Sequence, residues 1–152
     1  MSIESVRHFF EERNLNYPIY ELEESTATVE LAANAHGVEP ARIAKTLACH
    51  TKEDKIILVM CGDDKLDNKK FKNIFKCKCK FLNFDEVLEF TGHAVGGVCP
   101  FGLKTPMKIY LDERIKEFDY VLPAAGSSNS AVRITPEQLE SITNATWVDV
   151  RK

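Results

Sequence analysis

The sequence predicts an α/β protein of the α+β kind, in which a mixed β-sheet closes into a barrel-like core surrounded by helices. Helical and strand-like patterns alternate irregularly and never settle into the β-α-β period of a doubly wound fold. Apolar residues make up 44% of the 152 residues and charged residues 28%, as is typical of a globular domain. No linker, repeat or low-complexity segment interrupts the chain, so we expect one domain over residues 1–152.

Five segments have the apolar spacing of helices that pack through one side. Ser25 or Thr26 is expected to cap the second helix, and Gly37 to end it in a left-handed conformation. Thr135 caps the last helix, with Pro136 at its first position. The predicted helices cover residues 2–14, 25–37, 67–75, 83–92 and 135–143.

The remaining periodic segments are rich in β-branched and aromatic residues, as strands are. Charged residues, proline or glycine bound them and favour turns. The predicted strands cover residues 17–22, 43–51, 55–62, 77–82, 107–112, 119–126 and 130–135, and the chain closes with the segment TWVDV at residues 146–150.

The cysteines indicate a reducing compartment. Their number, five, is odd and no CxxC pair occurs, which favours free thiols and a cytoplasmic protein. The N-terminus lacks the pattern of a secretory signal, and no segment approaches the ~18 apolar residues of a membrane span. Cys77 and Cys79 have no second ligand pair at zinc spacing, so neither a metal nor a cofactor is predicted.

One basic segment stands out in a chain whose net charge is −3. Residues 65–80 contain seven lysines and one aspartate. Two interpretations remain open: a solvated helix face, and a patch that contacts the phosphates of a nucleic acid. Lys69, Lys70 and Lys72 are the candidate contacts under the second interpretation.

Residues 92–104, GHAVGGVCPFGLK, form an unusual glycine-rich stretch. Four glycines and a proline occur among side chains that are too apolar for a solvated spacer. Glycine permits positive φ and lets a ligand approach the main chain, whereas proline fixes φ. The pattern predicts a rigid loop that presents bare main chain to a ligand.

Three further positions are candidates for chemistry. Lys45 lies among small apolar residues of a predicted strand, where it is either an outward-pointing edge residue or an anchor for a phosphate or carbonyl. The small polar residues at 126–130 indicate either a plain turn or a polar pocket wall. Asp112 ends a strand and either caps the next helix or faces a pocket. No Ser-His-Asp, P-loop, HExxH or GxGxxG pattern is present.

Four segments in order resemble the YbaK and prolyl-tRNA-synthetase-associated family of aminoacyl-tRNA editing domains: GVEPARIAKTL, TGHAVGGVCPFGL, IYLDERI and AAGSSNSAVRITPEQL. The resemblance extends from about residue 25 to the end of the chain. It implies a mixed, barrel-like sheet surrounded by helices. It also implies hydrolysis of the ester between a wrongly attached amino acid and the 3′-terminal adenosine of tRNA.

The resemblance implies roles for individual residues. The family's essential lysine falls on Lys45, and an aromatic position near the pocket mouth falls on Tyr20. Cys99 stands where many relatives have a small polar residue, and we interpret it as a substitution of compatible size because no base lies nearby in sequence. The other expected substrate-binding residues are Gly96, Gly97, Pro100, Phe101, Gly102, Asp112, Gly126, Ser127, Ser128, Asn129 and Ser130.

The expected function is that of a free-standing, trans-acting aminoacyl-tRNA deacylase. Cys or Ala on proline tRNA is the expected substrate by family analogy, and a synthetase is a possible source of tRNA specificity. The alternatives are a non-catalytic module that binds a tRNA end or a synthetase, and a small-ligand-binding domain on the same scaffold. Lys45 together with the GGxxPFG loop favours the enzyme, since a pure binder need not keep both.

Overall fold

The computed structural model describes residues 2–152, in which the helices are shorter than predicted but follow the predicted order. Asn83 and Thr135 each form a capping box, with Glu86 and Gln138 respectively. No helix in this range is long and apolar enough to cross a membrane. The α-helices of residues 2–152 are α1 (Ser2–Glu12), α2 (Val29–His36), α3 (Asn68–Phe75), α4 (Phe84–Thr91) and α5 (Pro136–Thr143).

Helix α2 begins later than predicted. Its cap is Thr28, whose hydroxyl accepts a hydrogen bond from the main-chain N–H of Leu31 at 3.2 Å, so the prediction of Ser25 or Thr26 was wrong. Gly37 ends the helix with φ 68°, as predicted. The later start leaves Thr26 buried in the segment that precedes the helix.

The strands form a mixed sheet. Six strands follow the order β4-β2-β3-β5-β8, with β6 attached to β2, while β1 pairs with β7. The β2–β3 pair is antiparallel, whereas β3–β5 and β5–β8 are parallel. The strands of residues 2–152 are β1 (Ile19–Glu21), β2 (Ile43–His50), β3 (Lys55–Cys61), β4 (Lys80–Phe81), β5 (Lys108–Asp112), β6 (Leu122–Pro123), β7 (Ser130–Val132) and β8 (Thr146–Val148).

The outer edge of β2 is paired at both ends and unpaired in the middle. Its inner edge pairs with β3 at residues 44–50. On its outer edge, β6 pairs with residues 43–44 and β4 pairs with residues 49–50. Residues 45–47 therefore lie beside a gap between two very short strands.

The gap exposes main-chain groups of β2. Leu82 donates its main-chain N–H to the oxygen of Ala48 at 3.0 Å, so Ala48 directs its main-chain groups to the outer edge. Main-chain direction alternates along a strand, so Thr46 directs its N–H and C=O to the same edge. Between β4 and β6, no strand pairs with Thr46 there.

Helices cover both faces of the sheet. One face, which includes Ile57 and Val59, packs with α1, α4, α5 and the glycine-rich stretch in the larger core. The other face, which includes Leu58 and Met60, packs with α3. A smaller cluster joins α2 to β2, β6 and β7.

The predicted closure into a barrel is not confirmed. Within residues 2–152, single bridges link the segments around β6 and β7, but no pairing joins β8 to β1, β4 or β6. Strands β4 and β6 span two residues each, which is too short to continue the sheet across the gap. The architecture is an open mixed sheet between layers of helices.

Candidate active site

A cavity of about 310 Å³ opens at the unpaired middle of β2. Its walls come from β2, β4, β6 and β7, from α2 and α4, and from the glycine-rich loop of residues 92–104. His36 and Lys45 are the titratable side chains among the described residues that line it, so neither a carboxylate nor a thiol faces the cavity. Across residues 2–152, no three His, Cys, Asp or Glu side chains are grouped so that they could hold a metal ion.

Three buried polar atoms of the cavity wall have no hydrogen-bond partner among the described residues: Thr26 Oγ1, His36 Nε2 and Thr46 Oγ1. Buried polar groups are nearly always paired, because each unpaired one costs about 1–3 kcal/mol. Their concentration around one cavity indicates a ligand with several polar groups. None of the three was predicted from the sequence, although Thr46 directly follows Lys45.

Lys45 lines this cavity. Its Nζ donates hydrogen bonds to the main-chain oxygens of Gly62, at 3.3 Å, and Asp64. An ammonium group has three N–H donors, so one remains for a ligand. Burial lowers the pKa of Lys45, and the nearby carboxylates of Asp64 and Asp63 oppose this change. The side chain is therefore anchored and partly shielded from water, which strengthens its electrostatic effect on a ligand.

Gly97 connects the glycine-rich loop to the polar turn that begins at Gly126. A Cβ at Gly97 would lie 2.7 Å from the main-chain nitrogen of Ser127 and 2.8 Å from the carbonyl carbon of Gly126. Gly97 does not have positive φ and does not line the cavity. Its lack of a side chain is thus required by the close approach of two protein segments.

The other loop glycines differ in what they approach. Gly96, with φ 98°, lines the cavity. Gly102, with φ 61°, packs against α1, where an added Cβ would lie 2.7 Å from the main-chain oxygen of Ser5. The prediction that the loop presents bare main chain to a ligand therefore stays a prediction at Gly96, whereas Gly97 and Gly102 approach the protein's own main chain.

Pro100 and Phe101 belong to the loop but do not line the cavity. The ring of Phe101 is fully buried, with its centroid 5.1 Å from that of Phe10 and 6.2 Å from that of Phe9. These contacts hold the loop on α1, which agrees with the supporting role expected for Phe101. Pro100 lines a separate, shallower cleft beside α1.

In the fold, the side chain of His93 lies beside the thiol of Cys99. His93 Nε2 is 3.6 Å from Cys99 Sγ and 2.7 Å from the main-chain oxygen of Phe101. Because a carbonyl oxygen only accepts, Nε2 carries the proton and cannot take one from the thiol. Burial raises the pKa of Cys99 to about 12. Cys99 is therefore not a nucleophile, for a reason that only the structure provides.

The predicted polar turn ties β7 to the segment before α2. The side chains of Ser127, Asn129 and Ser130 hydrogen-bond to one another at 2.6–2.8 Å. Thr26 donates its main-chain N–H to the oxygen of Ser128 at 2.6 Å. Of the five predicted turn residues, only Ser130 lines the cavity, and the others position the wall.

Asp112 lies outside the cavity and is fully buried. Its carboxylate accepts hydrogen bonds at 3.0 Å from the main-chain N–H groups of Arg114 and Val150 and from the guanidinium group of Arg151. The residue caps the following 3₁₀ helix and ties the C-terminal segment to β5. Asp112 therefore caps the next helix and does not line the cavity.

Tyr20 lies next to the cavity without lining it. Its ring centroid is 6.3 Å from that of His36, which does line the cavity. It also pairs across β1 and β7 with Ala131, another lining residue. Tyr20 is partly exposed, so a ligand that extends out of the cavity can reach it.

The lysines of α3 lie away from the cavity. Helix α3 packs on one face of the β2–β3 pair, and α4, which bounds the cavity, packs on the other. Lys69 and Lys72 are exposed, whereas Lys70 Nζ bonds the carboxylate of Asp149 at 3.0 Å. Contact between this run and a nucleic acid stays a prediction.

The sequence model of the aminoacyl-tRNA editing domain matches residues 23–142, a range that contains every residue that lines the cavity. The chain belongs to this family. The resemblance inferred from four sequence segments is thereby confirmed, and the cavity, the glycine-rich loop and the polar turn are parts of an editing domain.

Similar proteins extend over the whole editing domain. YwhH of Bacillus subtilis, described as uncharacterized, is 46% identical and is matched over 100% of this chain and 98% of its own length. EbsC of Enterococcus faecalis, whose name proposes a Cys-tRNA(Pro)/Cys-tRNA(Cys) deacylase, is 28% identical over 92% of this chain and 88% of its own. A crystal structure of a proposed trans-editing enzyme for prolyl tRNA synthetase has a TM-score of 0.93 at 32% identity, covering 99% of this chain and 97% of that one.

Replacing Gly97 with alanine is expected to destabilise this editing domain. The added Cβ meets main-chain atoms at 2.7–2.8 Å, so the loop and the turn must separate. We expect a loss of about 1–3 kcal/mol in the free energy of unfolding, measured by urea denaturation. Ala94→Ser, at an exposed position of the same loop, should unfold like the parent protein. Equal midpoints for Gly97→Ala and the parent would contradict the close approach.

His93 is expected to make stability depend on pH. Burial lowers its pKa, and Nδ1 is buried without a partner, so the folded protein holds the imidazole neutral. As pH falls below the ordinary value of about 6.5, the unfolded chain binds a proton that the folded one does not, so stability decreases. The decrease is at most about 1.4 kcal/mol per pH unit for one group.

Unfolding by urea between pH 7.5 and pH 5.5 measures this effect. His93→Gln removes the titration and should flatten the pH dependence. The half-buried His36 contributes in the same direction, so a residual slope is expected in the variant. A slope identical to that of the parent protein would show that His93 is not held neutral.

Proposed function

We propose that this editing domain is a trans-acting deacylase that hydrolyses the ester of mischarged tRNA, with Cys or Ala on proline tRNA as the substrate. The observation that carries the proposal is the cavity at the gap in β2, where Lys45 has one N–H left for a ligand beside three unpaired polar atoms. An aminoacyl ester on a terminal adenosine has a carbonyl, an amino group and a ribose hydroxyl. This is the number and kind of polar groups that such a wall can bind.

Lys45 is placed to stabilise negative charge in the reaction. Hydrolysis of an ester develops charge on the carbonyl oxygen, and a fixed cation in a water-poor site stabilises that charge more than water does. The N–H of Thr46, which faces the gap, is a second donor available to the same oxygen. Both groups belong to β2, a strand held rigidly by β3 along its inner edge.

Activation of the attacking water must come mostly from the substrate. The described cavity wall has no carboxylate or thiol. The resemblance to the family implies assistance by the ribose hydroxyl or by a substrate thiol. Burial lowers the pKa of His36, so its neutral ring is suited to accept a hydrogen bond from the substrate's amino group or hydroxyl.

Small amino acids fit the proposed cavity. Ala32, Ala44 and Ala48 lie in its wall, and its volume is about 310 Å³. The name of EbsC supports cysteine on proline tRNA. One methylene changes selectivity by only about 1–3 kcal/mol, so Cys and Ala esters are expected to be cleaved by the same site.

A panel of proline tRNAs charged with Cys, Ala, Ser or Pro tests this proposal. Release of Cys or Ala, with the Pro ester left intact, is the expected result. Binding of the charged tRNAs without release of any amino acid would favour the non-catalytic alternative. If the charged tRNAs neither bind nor lose their amino acid, the proposal that tRNA is the substrate is wrong.

Replacing Lys45 with methionine is expected to abolish most of the deacylation. The variant keeps an apolar stem but loses the cation, which should reduce kcat/KM by about a hundredfold or more. Lys45→Ala should show the same loss, and circular dichroism checks that both variants fold. Turnover near that of the parent protein in a folded variant would exclude Lys45 from the mechanism.

Reversing the charges of Lys69 and Lys72 tests whether α3 contacts tRNA. If it does, Lys69→Glu combined with Lys72→Glu raises KM for charged tRNA and flattens its dependence on salt, because fewer counterions are released. The value of kcat should change little, since only uniform binding is lost. We leave Lys70 unchanged because it pairs with Asp149.

Lys104 and Lys116, which are exposed and outside the lysine run, provide the matched control. Replacing both with glutamate changes the net charge as much as the α3 double variant does, and it should raise KM for charged tRNA less. If both double variants have the same KM at every salt concentration, the lysines of α3 are only a solvated face.

A further inference from the structure

Four exposed apolar side chains lie on the lining of the cavity or next to its lining residues along the chain. Phe84 is 75% exposed, Phe81 55%, Leu88 55% and Val95 51%. Phe81 and Val95 line the cavity, whereas Phe84 and Leu88 belong to α4, which supplies part of its wall through Val87. Exposed apolar side chains that are scattered singly need no explanation, but a group at the mouth of a cavity does.

Helix geometry places Phe84 and Leu88 together beside the cavity wall. Residues four apart lie on one side of a helix, so Phe84 and Leu88 form one stripe. Val87 lies three residues after Phe84 and adjoins this stripe on its buried side. Leu82, two residues before Phe84, also lines the cavity. Phe84 therefore adjoins two lining residues, Leu82 and Val87, and Phe81 itself lines the cavity.

We propose that Phe81 and Phe84 form a stacking platform for the unpaired 3′-terminal nucleotides of tRNA, with Phe84 contacting the nucleotide that precedes the terminal adenosine. This inference rests on the proposed function, which puts the aminoacyl ester in the cavity. The terminal nucleoside is covalently attached to that ester, so it and its neighbour must occupy the mouth. Aromatic side chains bind unpaired bases by stacking on their faces, and any base can be bound in this way.

The charges around α4 favour contact with bases rather than with phosphates. Asp85 and Glu89 lie four residues apart on the solvent side of α4, next to the apolar stripe. Carboxylates repel a phosphate chain and do not attract it, so α4 itself is a poor electrostatic binding site. The exposed Lys80 of β4, the exposed Lys78 just before it, and Lys55, whose Nζ lies 4.3 Å from the ring centroid of Phe90 on α4, are nearby cations. The sugar-phosphate chain is thus expected on the β4 side, with the bases turned towards the phenylalanines.

Phe84 provides a test because it does not line the cavity. Phe84→Ala is expected to raise KM for charged tRNA about fivefold or more, the effect of losing one stacked base, with kcat unchanged. Phe84→Trp keeps a stacking surface and should restore the KM of the parent protein. The rise in KM should persist at high salt, because it does not arise from phosphate contacts.

Two matched measurements isolate the platform. Aminoacylated adenosine has no preceding nucleotide, so Phe84→Ala should cleave it as fast as the parent protein. Ile74→Ala removes another exposed apolar side chain, on α3, and should change neither substrate's KM. An unchanged KM of Phe84→Ala for charged tRNA would overturn the platform. Equal losses on charged tRNA and aminoacylated adenosine would overturn it too, since Phe84 would then act within the cavity.

A binding measurement separates this inference from the proposed function. A short single-stranded RNA with the terminal sequence of tRNA and fluorescent 2-aminopurine as its penultimate base reports stacking without any reaction. Quenching that is lost in Phe84→Ala and kept in Phe84→Trp supports the platform even if no ester is hydrolysed. No quenching by the parent protein would overturn the platform even if hydrolysis is found. An effect of Phe84→Ala that occurs only when a synthetase is present would assign the surface to a protein and overturn the platform as well.

Discussion

The interrupted pairing along the outer edge of β2 is the constraint on which the candidate site depends. Strands β6 and β4 pair with the two ends of this edge, and each is only two residues long. An unpaired stretch of main chain inside a protein needs other hydrogen-bond partners. The structure leaves residues 45–47 beside a cavity instead of covering them with a continuous strand, so that the interruption creates both the space and part of its polar wall.

The rest of the site depends on how closely the surrounding segments approach one another. Gly97 allows the glycine-rich loop to touch the main chain of the polar turn, and Phe101 fixes the same loop on α1. Ser128 of the polar turn accepts a hydrogen bond from the main-chain N–H of Thr26. These contacts place cavity-lining groups from distant parts of the sequence. A rigid frame of this kind holds a ligand without a large contribution from flexible side chains.

The ionisable side chains that stabilise the fold differ from those that line the cavity. Cys99 and His93 are buried. Burial raises the pKa of the Cys99 thiol and lowers the pKa of the His93 imidazole, so both side chains are held neutral, which suits packing rather than catalysis. Asp112 is buried as well, but three hydrogen bonds to its carboxylate compensate its charge. Lys45 is the charged group that lines the cavity, and main-chain oxygens position it without neutralising it. The cavity is therefore lined by one lysine and by neutral or weakly basic polar groups.

The sequence by itself determined the order of the elements, the mixed α/β class, the family and the candidate lysine, because these depend on local spacing and on motifs. Helix ends such as Gly37 and Thr135 were predictable, since capping involves residues within one turn. Only the tertiary structure decided that the sheet stays open, and that Thr26, His36 and Thr46 line one cavity, because these features come from pairing between distant segments. Likewise, composition predicted that the glycines are needed, but whether each approaches a ligand or the protein's own main chain depends on which segment packs opposite it.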